Sequence, residues 1–290
     1  MTKKSRRSPN RQPRGPRATA PRSDRPTFTP GRFGSGTTEA AGKILTLAPP
    51  DALIELSLPF LLCTIQVGKR ANVCVDSVLT LHHAYQFLGL DSEVWPVKLE
   101  VLTPSGATKA SYGRKDPYWE GSSFHGHCVV ELPGRTVDPT IQQFPELTRQ
   151  GDGPFVGRTV DSTDPGARSR PGAIIYGQRG DVMVRYTVCS AEARETMISG
   201  HPMMTSPDPV HQRSAVMLAT LLMDALRSEG IVERARKVPH QRVVELLDVI
   251  GDAPMEDRPA VDGGMGDLWF NMPDGQGGTV PRHLDELLPQ

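Results

Sequence analysis

The sequence predicts an α+β domain in which helices pack on a mostly antiparallel sheet, and three observations lead to this prediction. A helical pattern over residues 74 to 88 comes first. Extended segments with apolar residues follow, joined by short turns rather than by helices. Two further helical patterns appear only after residue 210. Consecutive strands with helices grouped before and after them favour an antiparallel sheet over strictly alternating strands and helices.

The chain of 290 residues predicts one well-buried domain with tails. We place the domain at residues 41 to 250. Residues 1 to 40, rich in Arg and Pro, have almost nothing to bury and are predicted to form a disordered tail. Residues 251 to 290, rich in Gly, Pro and Asp, are predicted to be an irregular acidic tail, with residues 268 to 270 (Leu-Trp-Phe) as a docking anchor.

The two tails carry opposite charge although Lys plus Arg and Asp plus Glu each number 33. Residues 1 to 36 contain ten basic residues against Asp24, whereas the stretch from Asp252 onward contains eight acids against two arginines. The basic tail suggests contact with the phosphates of a nucleic acid or with an acidic partner. The alternative interpretation is that the tail only keeps the protein in solution.

The sequence predicts a cytoplasmic protein without a membrane segment. No run approaches the roughly 18 apolar residues that a spanning helix needs, and no apolar segment follows the basic N-terminus as in a secretory signal. The four cysteines are widely spread, and a chain of this size does not need disulfides to hold its core, so we expect reduced thiols.

The first helix of the domain is predicted to begin near Cys74. Apolar residues recur from Cys74 at intervals of three or four, and Gly89 is a typical residue to end the helix. This spacing places Cys74 in the first turn, on the buried face.

Several strands are predicted after this helix. Residues 93 to 102 and 127 to 132 look extended, and the turn at Pro133 and Gly134 leads to a short strand over residues 135 to 138. Residues 173 to 177 and 181 to 189 look like a hairpin. Amphipathic helices are predicted from residue 211 to Gly230 and over residues 239 to 250.

The candidate chemistry combines Cys74 with a histidine and an aspartate. A helix N-terminus favours a thiolate, and a histidine is needed to take the thiol proton. In a strand over residues 127 to 132, His127 shares one face with Val129 and Glu131, while Cys128 points to the other face. The turn at residues 133 and 134 returns the chain so that Asp138 comes near His127 and can orient it.

The helix that begins at Cys74 is followed, in this order, by the segments "LGLDSEVWPVKLEV", "HCVVEL" and "VDPT". This order of segments resembles the transglutaminase-like cysteine proteinase superfamily. The resemblance covers about residues 60 to 145. It implies a papain/transglutaminase-like fold with Cys74 as nucleophile, His127 as general base and acid, and Asp138 as the orienting carboxylate. Arylamine N-acetyltransferases, which are more distant relatives, share this triad order. The second residue after the histidine is Val129, where many members have an aromatic residue.

Four further residues are alternatives or accessories at this site. His125 would be the base if the strand register differs from the predicted one. Gln66 is a candidate donor to the oxyanion that develops during acyl transfer. Tyr118 and Trp119, in the connection before the histidine, either shape substrate access or pack over the sheet.

A metal site is the rival interpretation, because Cys63, Cys74, His125, His127 and Cys128 are residue types that bind zinc. There is no CxxC motif and no third ligand close to the HxH pair, so we predict neither a metal nor a cofactor. Cys63, Cys128 and Cys189 are interpreted as small buried hydrophobic residues.

The expected function is a cysteine hydrolase or acyltransferase that acts on a peptide or other amide carbonyl through a thioester on Cys74. The alternative is a catalytically inactive fold that serves as an interaction protein through its charged tails, including the binding of nucleic acid.

Overall fold

The computed structural model describes residues 35–65, 73–148, 153–158, 168–206, 209–258 and 267–288. The helices are α1 (Ser35–Leu47), α2 (Leu53–Ile65), α3 (Cys74–Phe87), α4 (Pro145–Thr148), α5 (Ala191–Ser199), α6 (Pro202–Thr205), α7 (Pro209–Leu226), α8 (Val232–Ala235) and α9 (Gln241–Ile250). The strands are β1 (Glu93–Leu102), β2 (Thr108–Tyr112), β3 (Tyr118–Glu120), β4 (Ser123–His125), β5 (His127–Leu132), β6 (Arg135–Asp138), β7 (Phe155–Arg158), β8 (Ile174–Arg179), β9 (Val182–Val188), β10 (Met255–Arg258), β11 (Asp267–Pro273) and β12 (Thr279–Arg282).

The main sheet has seven strands in the order β7-β6-β5-β1-β9-β8, with β2 also paired to β1. Each pairing is antiparallel. The terminal strands β7 and β8 contact each other, so the sheet curls nearly into a barrel. The predicted combination of helices with a mostly antiparallel sheet is therefore confirmed.

The inside of the curled sheet is filled by apolar side chains, among them Val97, Val129, Phe155 and Tyr186. Phe155 of β7 stacks on Tyr186 of β9, with ring centroids 5.1 Å apart. Because these two strands lie on different sides of the curled sheet, the stacking helps to hold its two ends together.

The helices other than α4 pack on the outside of the sheet and form a second, larger core. Helix α3 contacts β5, α2 and α7, and its buried residues Cys74, Val78, Leu81 and Tyr85 follow the predicted spacing. The helix ends as predicted, since Gly89 has a positive φ of 81° that suits glycine best.

The register of the hairpin β5–β6 decides where the candidate site residues lie. Val130 pairs with Val137, so Asp138 lies opposite Val129. Val129 shares a face of β5 with His127 because side chains alternate along a strand. His127 and Asp138 therefore lie diagonally across the hairpin on the same face of the sheet.

Other predicted elements are also present. The segment 93–102 is β1, the hairpin is β8–β9, and the two later helices are α7 and α9. Helix α2, which was not predicted, contains Pro59 and buries most of its length. Within the described ranges, no helix combines the length and the apolar character needed to cross a membrane.

Both predicted tails need correction at the boundaries. The N-terminal tail does not extend to residue 40, because α1 begins at Ser35 and buries Ala41 and Leu45 in the helical core. Residues 1 to 34 lie outside the described residues. The predicted irregular tail from residue 251 instead contains a three-stranded sheet, β10–β11–β12, with Phe270 fully buried. Its Gly and Pro content hid the alternation that buries Leu268 and Phe270 on one face of β11.

Candidate active site

Cys74 is the first residue of α3 and its side chain is almost completely buried, with 7% exposed. The side chains of Cys128 and His127 are the neighbours that act to lower the pKa of the thiol. The interaction with Cys128 has the largest effect on this pKa. Burial acts to raise this pKa, whereas the neighbouring His127 acts with Cys128 to lower it. The net effect lowers the pKa of Cys74 from 9.0 to about 5.

His127 is the first residue of β5 and is 1% exposed. The edge of its ring faces the ring of Phe144, with centroids 5.0 Å apart. On the other side, the backbone of Gly113 comes so close that an added Cβ would lie 2.9 Å from Cβ of His127. These contacts hold the imidazole ring in one place.

Asp138 orients His127. Nε2 of His127 lies 2.7 Å from Oδ2 of Asp138. Oδ2 also accepts the phenolic hydrogen of Tyr186 at 2.9 Å, and Oδ1 accepts from the backbone N–H of Thr140 at 2.9 Å and from its hydroxyl at 3.2 Å. The fully buried carboxylate thus has donors at both oxygens.

The pKa of Asp138 reflects this arrangement. Burial alone would raise the pKa of the carboxyl. The charge of His127 and the hydrogen bonds from His127, Thr140 and Tyr186 outweigh burial, so the pKa is lowered from its ordinary value and the group stays ionised.

His127 is the positively charged partner of the Asp138 carboxylate. Burial acts to lower its pKa, but the charge and hydrogen bond of Asp138, followed by the interaction with Cys74, raise it to about 10. Nε2 is taken by Asp138, and the buried Nδ1 has no hydrogen-bond partner in the described part of the chain. Nδ1 is therefore the ring nitrogen available to the thiol of Cys74, and the lowered pKa of Cys74 beside the raised pKa of His127 favours a thiolate–imidazolium pair.

The other three cysteines differ from Cys74. Burial raises the pKa of Cys63 to about 12 and that of Cys189 to about 11. The interaction with Cys74, followed by burial, raises the pKa of Cys128 well above its ordinary value. All four cysteines are free thiols, and Cys74 is the one whose pKa is lowered.

The alternative histidine lies in a different environment. His125 stacks on Tyr118 with ring centroids 4.7 Å apart, and its Nε2 lies 3.1 Å from Oε2 of Glu120. The histidine that contacts Cys74 is His127. Gly126 separates β4 from β5, so His125 does not continue the strand alternation that would place it beside His127.

The two aromatic residues before the histidine have different surroundings. Tyr118 is partly exposed and lies between His125 and the guanidinium of Arg114, which is 5.0 Å from the ring centroid. Trp119 packs inward: its indole N–H donates to the carbonyl of Met197 at 2.8 Å, and its ring stacks on His201. Trp119 therefore ties the β3–β4 hairpin to α5, whereas Tyr118 faces solvent.

Two further predictions concern an oxyanion donor and a metal site. Gln66, the candidate oxyanion donor, lies outside the described residues. In the part of the chain that is described, no group of three or more His, Cys, Asp or Glu side chains is arranged to hold a metal ion. Cys63 instead donates to the carbonyl of Pro139 at 3.3 Å.

Three contributors to the site were missed from the sequence. Tyr186 lies on the buried face of β9, and a tyrosine on such a face needs a hydrogen-bond partner, which is the signal that could have identified it. Thr140 follows Asp138 by two residues, the spacing at which an aspartate accepts from the backbone. Cys128 was interpreted as a hydrophobic residue, and no feature of the sequence indicates its contact with Cys74.

A cavity of about 750 Å³ lies elsewhere, between α3, α7 and the C-terminal strands. Its lining includes Phe87, Arg213, Arg242 and Leu268 and none of the three triad residues. The cavity is therefore separate from these three residues.

The arrangement as a whole brings together a thiol, an imidazole and a carboxylate, the three kinds of group used in acyl transfer through a thiol. Comparisons of the chain with family models, with curated proteins and with solved structures find no match.

Proposed function

We propose that the protein is a transglutaminase-like cysteine hydrolase or acyltransferase that acts on a peptide or other amide carbonyl. The observation that carries the proposal is the contact of Cys74, at the N-terminus of a long helix, with His127, whose other ring nitrogen lies 2.7 Å from Asp138. A papain/transglutaminase-like fold is part of the proposal. It is supported by a cysteine-bearing helix packed on an antiparallel sheet whose adjacent strands carry the histidine and the aspartate.

The reaction would proceed in two steps. The Cys74 thiolate attacks the carbonyl carbon, and His127 gives its Nδ1 proton to the leaving amine, which leaves a thioester on Cys74. Water or an amine then gives a proton to His127 and attacks the thioester carbonyl, which expels the thiolate. Backbone N–H groups in the first turn of α3 would stabilise the negative oxygen in both steps.

The nucleophile works only while its sulfur is reduced, so the proposal places the protein in the cytoplasm. The free state of all four cysteines is in keeping with this compartment. The alternative prediction, an interaction protein that binds an acidic partner or nucleic acid through residues 1 to 40, concerns a segment that lies mostly outside the described residues and stays a prediction.

The proposal is tested by trapping the acyl-enzyme. The protein is mixed with p-nitrophenyl acetate at neutral pH, quenched in acid, and the acetyl group is mapped by mass spectrometry. We expect one acetyl group on Cys74, removed by hydroxylamine, absent in Cys74→Ala and retained in Cys63→Ala. Acetylation spread over lysines, or none on Cys74, would refute the proposed chemistry.

A further inference from the structure

The segment between Gly113 and His127 begins and ends beside the triad histidine. At its start, the backbone of Gly113 packs against His127, so that an added Cβ would lie 2.9 Å from Cβ of the histidine. At its end, Gly126 precedes His127 directly. The residues next to these two glycines, Arg114 and His125, therefore lie close to the triad histidine.

The ring of Tyr118 joins Arg114 to His125. The guanidinium carbon of Arg114 lies 5.0 Å from the centroid of the tyrosine ring. The imidazole of His125 stacks on the same ring, with centroids 4.7 Å apart and planes 7° apart. We call these three side chains the arginine stack. An arginine that lies on an aromatic ring is held in one orientation, while the N–H groups at the edge of its guanidinium can still bind a ligand.

The arginine stack is fixed to the rest of the domain at two points. Trp119, the neighbour of Tyr118, packs inward and donates its indole N–H to the carbonyl of Met197 at 2.8 Å. The carbonyl of Arg114 accepts the thiol hydrogen of Cys189 at 3.3 Å. Because the arginine is already held in place, the binding of a ligand to it costs little ordering.

Arg114 is an exposed cation that the domain holds in place without a bound anion. Within the described part of the chain, its guanidinium contacts Tyr118 and forms no ion pair. His125, in contrast, has Glu120 as its partner at 3.1 Å. The planar guanidinium matches a carboxylate, which it can bind through two parallel hydrogen bonds.

We infer that Arg114 is a substrate-binding residue that takes a carboxylate, so that the substrate is an acidic peptide. The inference rests on the proposed function and deepens it. An extended peptide advances about 3.3 Å per residue, so a side chain about one to three residues from the reacting amide can reach from the triad to the arginine stack.

Chloroacetyl tripeptide amides test the inference, because the Cys74 thiolate displaces chloride and the attached peptide is then mapped by mass spectrometry. Three peptides carry one glutamate, at the first, second or third position of a glycine chain, and three matched peptides carry glutamine there. At neutral pH, at least one glutamate peptide should label Cys74 about fivefold faster than its glutamine match, the upper range for an exposed ion pair. In Arg114→Gln the two rates should become equal.

Lys115→Gln is the matched control, because it removes the neighbouring exposed cation, which lies outside the arginine stack. This variant should keep the preference for glutamate. Circular dichroism checks the folding of each variant. If Arg114→Gln does not fold, Tyr118→Leu removes the ring on which the guanidinium lies and should lower the preference.

Equal rates of the matched peptides in the wild type would overturn the inference. It would also be overturned by a preference that survives in Arg114→Gln or that falls as far in Lys115→Gln. The glutamine peptides report on the reactivity of Cys74 alone. Equal labelling by both peptide sets therefore overturns only the inference, whereas no labelling of Cys74 by either set overturns the proposed chemistry and the inference with it.

Discussion

Tyr186 of β9 donates its phenolic O–H to Oδ2 of Asp138 at 2.9 Å. The same oxygen lies 2.7 Å from Nε2 of His127, so the tyrosine and the histidine share one acceptor. The hydroxyl thus fixes the carboxylate from β9, a strand outside the hairpin that carries His127 and Asp138.

Tyr186→Phe should therefore slow the acylation of Cys74 by about tenfold, since it removes one hydrogen bond that orients the carboxylate. The rate is measured with p-nitrophenyl acetate. Tyr85→Phe is the matched control, because it removes another buried phenol that donates to the carbonyl of Glu55, away from the triad. Equal rates in the two variants would show that Tyr186 serves only packing.

Gly113 is the position where an added methyl group should disturb the histidine. Its φ is +71°, and a Cβ there would lie 2.4 Å from the carbonyl oxygen of Val97 and 2.9 Å from Cβ of His127. Gly113→Ala should lower the labelling rate of Cys74 more than tenfold, on the order of 1.4 kcal/mol or more in activation free energy.

Gly106→Ala is the control for backbone strain alone. Gly106 has a similar φ of +83°, but an added Cβ would meet no atom within 4 Å. This variant should lose about 1 kcal/mol of stability and keep the wild-type labelling rate. The account of Gly113 fails if both variants label at the same rate.

Glu131 should make stability depend on pH. Burial raises the pKa of this carboxyl from 4.5 to about 7, although hydrogen bonds from Thr136 and Ser169 and the charge of Arg168 act to lower it. Between these two values the folded protein holds a proton that the unfolded chain has lost. Stability from this group is therefore present below the lower value and is lost as the pH rises toward the upper one.

Glu131→Gln should remove this loss, because an amide stays neutral. Relative to wild type, the variant should gain on the order of 2 kcal/mol in unfolding free energy between about pH 5 and about pH 8. Urea unfolding at both pH values measures the difference. Glu195→Gln, an exposed glutamate on α5, should show no such gain. A wild-type protein and a Glu131→Gln variant that change in parallel with pH would contradict the assignment.

The sequence allowed prediction of the elements with strong local patterns. Helix α3 has regular apolar spacing and a glycine at its end, and β5 and β6 are joined by a Pro-Gly turn, so their types and limits could be inferred. The turn also determined the diagonal approach of His127 and Asp138, because a short hairpin loop leaves few alternative registers.

The contacts that depend on long-range packing could not be predicted. Tyr186 is 48 residues from Asp138 in sequence, and it reaches the carboxylate only because β9 pairs with β1 and the sheet curls. The contact of Cys128 with Cys74 requires the angle at which α3 crosses β5, which no local pattern determines. The C-terminal strands were missed because glycine and proline dominate the composition around them.

The central claim, that Cys74 is a thiolate activated by His127, is tested most directly by iodoacetamide labelling at neutral pH with a short exposure. Labelling of all four cysteines is mapped by mass spectrometry in the wild type and in His127→Ala. We expect Cys74 to be labelled selectively in the wild type, because the lowered pKa of its thiol favours the reactive thiolate, and we expect this selectivity to be lost in the variant. Labelling of Cys74 no faster than that of Cys63, Cys128 and Cys189, or unchanged without His127, would contradict the account.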